Sequence, residues 1–158
     1  NANADGYRLP TEAEWEWLAR KAGKKAQTKF TWGNESVIPK LSGNIADERA
    51  KGSTAFYVPS YDDGFSAAAP VGSFPAEPSG LYDLTGNVSE WAHDIYSLVP
   101  PESGKTEIDP LGRKSGDSYV VKGSNWQSGN ITELRAAYRE GAKAGSHDIG
   151  FRVARYLY

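Results

Sequence analysis

The chain of 158 residues has no cysteine, no methionine and only two histidines, His93 and His147. The missing cysteine excludes disulfides, thiolate metal sites and thiol nucleophiles together. It says little about compartment, because a domain of this size holds without bridges. Two histidines far apart in sequence exclude a three-histidine iron site within the chain. No apolar run approaches the roughly 20 residues that cross a bilayer. The first residues, Asn1-Ala2-Asn3-Ala4-Asp5, lack the charged-then-apolar form of a secretory signal. Charge of one sign is also missing. Eighteen basic against 20 acidic residues leave a net charge of −2, with no general pull toward nucleic acid or anionic membrane.

What is present is a globular composition, 39% hydrophobic and 24% charged, sized for one domain. Five Trp and nine Tyr against five Phe suit a loop-rich fold, since each of those rings brings an apolar body and a polar handle. Residues 1–6 read as a linker or frayed end. Pro10 biases Leu9 away from helix. Thr11-Glu12-Ala13-Glu14 then forms a capping box that opens a helix over about 11–22. Ala13, Trp17 and Leu18, flanked by Trp15 and Ala22, give its expected apolar face, and Arg20, Lys21, Lys24 and Lys25 suit its C-terminal end.

Beyond the helix the regular patterns are short. Phe30–Asn34 reads as a strand scrap, and residues 40–80 carry turn signals at Gly43-Asn44, Asp62-Asp63-Gly64 and Ala69-Pro70. A loop of that length inside a domain is usually functional or pinned by something. Residues 99–118, starting near Pro100-Pro101, form a second loop. Strands are expected at 119–123, 134–139 and 151–156, the last with clear alternation. The class is mixed α and β with high irregular content and no repeat.

One stretch concentrates oxygen donors and turn formers: Gly-Leu-Tyr-Asp-Leu-Thr-Gly-Asn-Val-Ser-Glu-Trp, from Gly80 to Trp91. Asp83 and Glu90, around the Gly86-Asn87 turn, can face one hard cation. They can equally be two solvated loop acids, Asp83 in an ordinary Asx turn. Trp91 is expected to anchor the stretch in the core.

Tyr7 to Trp17 (Tyr-Arg-Leu-Pro-Thr-Glu-Ala-Glu-Trp-Glu-Trp) resembles the helix start typical of the formylglycine-generating enzyme family, the sulfatase-modifying factors. Asn44-Ile45-Ala46-Asp47, Asp63-Gly64-Phe65, Ala69 to Pro75, Gly80 to Trp91, Val121 to Trp126 and Ile149 to Arg152 resemble its later blocks, in the same order, across nearly the whole chain. The resemblance implies an α+β, C-type-lectin-like fold with low regular secondary structure. It also implies that residues 7–158 are the C-terminal part of the full domain. The N-terminal portion would then be absent or supplied by a partner chain.

The resemblance further implies two structural calcium ions. The first would take the side chains of Asn44 and Asp63 with the carbonyls of Ile45 and Phe65. The second would take the side chains of Asp83 and Glu90 with the carbonyls of Gly86 and Val88, and two carboxylates make it the favoured site. Hard oxygens on flexible loops are what calcium needs, and a cation that binds only the folded state offsets ordering entropy. Millimolar calcium outside the cytoplasm suits a periplasmic or cell-surface setting.

The family's active-site cysteine pair matches Ser128 and Glu133 here, and neither side chain is a soft ligand for Cu(I). Formylglycine-generating oxidase activity is therefore not expected. His93 reads as a surface or packing residue, and His147 as solvated. Ser128, His147 and Asp148 make a paper triad without a nucleophile elbow or oxyanion hole. Arg152 and its neighbours are expected to pair with acids such as Glu90, Glu16 or Asp94. The first functional reading is a calcium-stabilised binding or scaffold module for a protein, peptide or glycan partner, with Trp126, Gln127, Ser128 and Asn130 on the groove. The alternative is the substrate-binding part of an iron- or copper-dependent oxidase or oxygenase, whose metal ligands lie in the missing portion or another chain.

Overall fold

A computed structural model describes residues 6–98 and 104–156. The expected linker up to residue 5, and the Pro100-Pro101 start of the second loop, lie outside the described residues. The fold is α+β with little regular structure; the described residues form helix α1 (Glu12–Arg20), a 3-10 turn (Glu48–Ala50), and strands β1 (Ser89–Ile95), β2 (Tyr119–Lys122), β3 (Arg139–Ala142) and β4 (Ile149–Gly150). No helix among the described residues is long and apolar enough to cross a membrane.

The capping box forms as the sequence predicts. Thr11 Oγ1 accepts from Glu14 N at 3.2 Å, and the Glu14 carboxylate accepts from Thr11 N at 2.8 Å. Arg8 forks onto the same carboxylate at 2.6 and 2.7 Å and, ahead of the other influences, holds it below the usual carboxylate range. The buried face of α1 is not the expected one. Trp15 and Ala19 are buried, whereas Ala13 and Trp17 face outward, Trp17 being 57% exposed.

The reason lies in the sheet, whose order is β3-β2-β1-β4, with β1–β2 and β2–β3 antiparallel and β1–β4 parallel. Register places Glu90 beside Lys122 and Lys122 beside Arg139, so one row of charged residues crosses the sheet beneath α1. The helix meets that row with Glu12, Trp15 and Glu16. Lys122, fully buried, lies with Nζ 3.2 Å from Glu16 and 3.7 Å from Glu12, over the Trp15 ring at 5.7 Å. Arg139 Nε sits 2.8 Å from Glu12 as an ion pair without hydrogen-bond alignment. Asp94 accepts from Glu12 N at 2.7 Å. A buried charge is tolerated only when paired, so residues that read as a polar helix face are drawn inward. Burial lowers the Lys122 pKa from its ordinary value and raises that of Glu12.

Two expected strands are displaced. Residues 134–137 are turn and bend, because Leu134 and Ala136, 4% and 3% exposed, plug the two cores instead of alternating in a ladder, and β3 begins only at Arg139. At the chain end, β4 is Ile149–Gly150, and residues 151–156 keep one bridge, Arg8↔Ala154. Conversely, the end of the Gly80–Trp91 stretch is strand β1, with Trp91 half-buried; Trp15 fills the core beneath Glu90 instead. One core joins Trp15, Ala19, Leu84 and Ala136, with Leu81 against it. The other joins Phe30, Ile45, Tyr61 and Leu134, with Trp32 stacked on Phe30 at 4.6 Å.

Candidate functional site

At the end of the sheet where β1, β3 and β4 begin and β2 finishes, the loops enclose a cleft of about 200 Å³. It is lined by Ser89, Gly123, Asn125, Gln127, Ser128, Glu133, Tyr138, Glu140 and Asp148. Asn125 organises it. Its Nδ2 donates to Ser89 Oγ and Asp148 Oδ2, each at 3.1 Å, its Oδ1 accepts from Gln127 N at 2.9 Å, and its own N–H donates to Ser128 Oγ at 3.1 Å. Three loops are thereby fixed through one amide side chain. Ser128 O accepts from Ala46 N at 3.0 Å, and a Cβ at Gly129 would overlap the Phe56 carbonyl, so this loop is pressed against the 44–58 segment.

Ser128 and Glu133, five positions apart in sequence, thus line the same cleft. Of the other groove candidates, Gln127 lines it too. Trp126 and Asn130 flank it: the Trp126 ring lies 5.7 Å from that of His147, and Asn130 O accepts from Glu133 N at 2.9 Å. The lining is polar and carries three carboxylates, Glu133, Glu140 and Asp148. Tyr138 O–H bonds to Glu140, and burial, followed by that contact, pushes its pKa well above the ordinary value. The paper triad is not assembled. Ser128 Oγ meets the Asn125 amide, His147 Nδ1 meets Ser146 Oγ at 3.4 Å, and Asp148 meets Asn125.

Neither group of candidate cation ligands contributes a residue to the cleft lining. In the first, Asn44 is 1% and Asp63 7% exposed. Asp63 Oδ2 accepts from Ile45 N and Oδ1 from Phe65 N, both at 2.9 Å. Burial, the dominant influence, raises the Asp63 pKa from its ordinary value. Asn44 Nδ2 donates to Ala67 O at 2.8 Å, but Asn44 Oδ1 is buried with no partner. The carbonyls of Ile45 and Phe65 accept no backbone bond among the described residues. An orphaned amide oxygen beside a desolvated carboxylate and spare carbonyls is a donor set that fits a hard cation.

The second group is arranged differently. Asp83, at φ +57°, accepts from Gly72 N at 2.8 Å through Oδ2, while its Oδ1 is buried and unpartnered. Glu90, however, is occupied: Oε2 accepts from Trp15 Nε1 at 2.6 Å and Arg152 Nε at 2.5 Å, and Oε1 from Arg152 Nη2 at 2.6 Å. This is the expected Arg152–Glu90 pairing. Each group thus holds one buried oxygen without a partner, Asn44 Oδ1 and Asp83 Oδ1, beside a carboxylate whose two oxygens already accept: from backbone N–H groups at Asp63, from Trp15 and Arg152 at Glu90.

Asn87 joins the two groups and was not among the expected ligands. Its N–H donates to Asn44 O at 2.6 Å, and its side chain exchanges bonds with Ala69 N and O at 2.8 and 3.2 Å. Its position after a glycine at positive φ was the available signal: Gly86 is at φ +72°, and a Cβ there would overlap the Asn44 carbonyl.

Comparison with known proteins adds the following. A family model described as sulfatase-modifying factor enzyme 1-like domain matches residues 1–157. The chain is 39% identical over 123 residues to a formylglycine-generating enzyme of Thermomonospora curvata, covering 77% of this chain and 39% of that protein. It is 35% identical over 156 residues to the inactive C-alpha-formylglycine-generating enzyme 2 of Mus musculus, covering 94% and 43%. Among solved structures, Treponema denticola variable protein 1 superposes with a TM-score of 0.67 at 30% identity, over 98% of this chain and 49% of that one. The chain therefore spans less than half the length of these relatives.

Proposed function

The chain belongs to the sulfatase-modifying factor family, and on that premise we propose that it is a cysteine-free binding module of the family, stabilised by calcium, that receives a protein, peptide or glycan segment at the Ser128 cleft. The observation that carries this reading is the convergence of Ser128 and Glu133 on one cleft. The resemblance places the family's cysteine pair at about those positions, so the cleft would stand where the family's thiols do while lacking the thiols that oxidation chemistry there requires. A lining of amide, hydroxyl and carboxylate groups held by Asn125 suits recognition by hydrogen bonding.

Calcium would be held by Asn44, Asp63 and the Ile45 and Phe65 carbonyls, and would supply charge neutralisation for a buried carboxylate. At a concentration about 100 times its Kd it would add about 2.7 kcal/mol of stability. The test is elemental analysis with thermal melts in calcium and in chelator. One bound calcium, a melt lowered by chelator, and loss of that difference in Asn44→Ala support the proposal. No calcium and an unchanged melt sink it. Near-stoichiometric iron or copper in the full gene product would instead favour the oxidase reading. For the cleft, Gln127→Ala and Asn125→Ala should weaken capture of whatever glycan or peptide an array identifies, while Val71→Ala, 89% exposed elsewhere, should not.

A further inference from the structure

The side-chain amides of Asn44 and Asn87 meet in the interior, and the backbone of Ala69 fixes which way each one faces. The Ala69 N–H can only donate, and it meets Asn87 Oδ1 at 2.8 Å. The Ala69 carbonyl can only accept, and it meets Asn87 Nδ2 at 3.2 Å. An amide held at both ends by a backbone donor and acceptor has one allowed orientation, because the flipped one sets oxygen against oxygen and N–H against N–H. Asn87 Oδ1 is thereby presented to Asn44, whose Nδ2 lies 3.4 Å away and also donates to Ala67 O at 2.8 Å.

Both hydrogens of the Asn44 amide are then spent, and Oδ1 is the atom left over, buried without a partner on a residue 1% exposed. Turning the Asn44 amide over would set its oxygen against Ala67 O and Asn87 Oδ1, and would point an NH₂ where Oδ1 now lies. A hard cation needs the oxygen there. Asn87 grips the main chain of Asn44 as well, its N–H donating to Asn44 O at 2.6 Å. It does so at φ +65°, directly after Gly86 at φ +72°, in the left-handed region that Asn tolerates better than most side chains. Asn87 Oδ1 already accepts from Ala69 and Asn44, so it is committed to orientation and not to an ion.

We propose that Asn87 is the positioning residue of the first cation group: it relays the fixed polarity of the Ala69 peptide to Asn44 and so keeps Asn44 Oδ1, rather than the NH₂, turned to the ion. The proposal rests on the calcium reading of Asn44 and Asp63 and adds to it a residue that touches no ion. Groups that orient a metal ligand without binding the metal are worth about 10–100-fold in affinity.

Calorimetric titration of the chelator-treated full gene product with calcium chloride tests it, alongside melts in chelator. Asn87→Gly keeps the left-handed backbone and deletes the amide, so its calcium Kd should weaken about 10–100-fold. Asn87→Asp keeps the oxygen that faces Asn44 but sets a second one against Ala69 O. It should melt lower in chelator and still bind calcium at least as tightly as the parent, helped by the added charge. Val120→Ala, a fully buried β2 position in neither cation group, should lower the melt and leave the Kd unchanged. An Asn87→Gly protein that melts lower but binds calcium like the parent gives Asn87 a structural role only and overturns the proposal. So does Asn87→Asp binding as weakly as Asn44→Ala, which decides the matter if Asn87→Gly does not fold. A parent that takes up no calcium removes the calcium reading and the proposal with it; that failure is read in the parent alone, before any variant.

Discussion

Replacing Glu90 by glutamine tests what holds the centre of the fold. The Glu90 carboxylate takes one hydrogen bond from Trp15 and two from Arg152, all between 2.5 and 2.6 Å. Glutamine keeps one acceptor oxygen and turns an NH₂ toward a guanidinium that also donates. The side chains are 7% and 18% exposed, so the stranded arginine charge is poorly solvated. Breaking a buried pair by removing one partner costs about 3–5 kcal/mol. Arg152 retains its bond to Tyr82 O at 3.1 Å and some water, which favours the lower end, about 3 kcal/mol. For a chain of this size that lowers Tm by about 6–12 °C. Glu12→Gln is the control. Its side chain is 21% exposed, and Lys122 keeps Glu16 at 3.2 Å, so a loss of about 1 kcal/mol is expected. Melts followed by circular dichroism, in calcium and in chelator, read both variants. Glu90→Gln costing no more than Glu12→Gln refutes the reasoning. A loss present in calcium and absent in chelator assigns Glu90 to a cation instead. The double change Glu90→Gln with Arg152→Met should recover part of the loss, since the stranded charge is gone.

Lys122→Met should cost about 1–2 kcal/mol at neutral pH, because Glu12 and Glu16 keep Arg139 and Arg20. Burial depresses the Lys122 pKa, so the unfolded chain binds more protons between that depressed value and about 10.4. Stability of the parent relative to the variant should therefore rise with pH across that window; a flat difference in denaturant midpoints contradicts a buried ammonium. Gly86→Ala combines φ +72° with an overlap on the Asn44 carbonyl and should cost more than about 4 kcal/mol, seen as loss of soluble folded protein. Gly80→Ala, at φ +81° in open space, should cost only about 1–2 kcal/mol; equal melts for the two would remove the close-approach argument.

The elements legible in the sequence are those set by neighbours along the chain. The Thr11 capping box needs only Thr11 and Glu14, three residues apart, and it forms as read. The family blocks are likewise local strings, and their order gave the α+β class and the loop-rich character. The absence of cysteine is a property of composition that no folding can change, and it removes thiol chemistry outright. What failed to be legible depended on partners distant in sequence. Helical periodicity placed Trp17 in the core because its neighbours are apolar, but Lys122, 106 positions beyond Glu16, inverted the face. Leu134 and Ala136 read as strand because alternation cannot distinguish a ladder from two plugs entering different cores. The Arg152–Glu90 pairing was itself expected from the sequence, but that it occupies both Glu90 oxygens together with Trp15 Nε1 is a matter of tertiary placement. The sequence by itself determined local caps, family and the chemistry that is absent. The tertiary structure decided which charges are buried together and which loops meet at the cleft, because those depend on pairing energies between segments that no window along the chain contains.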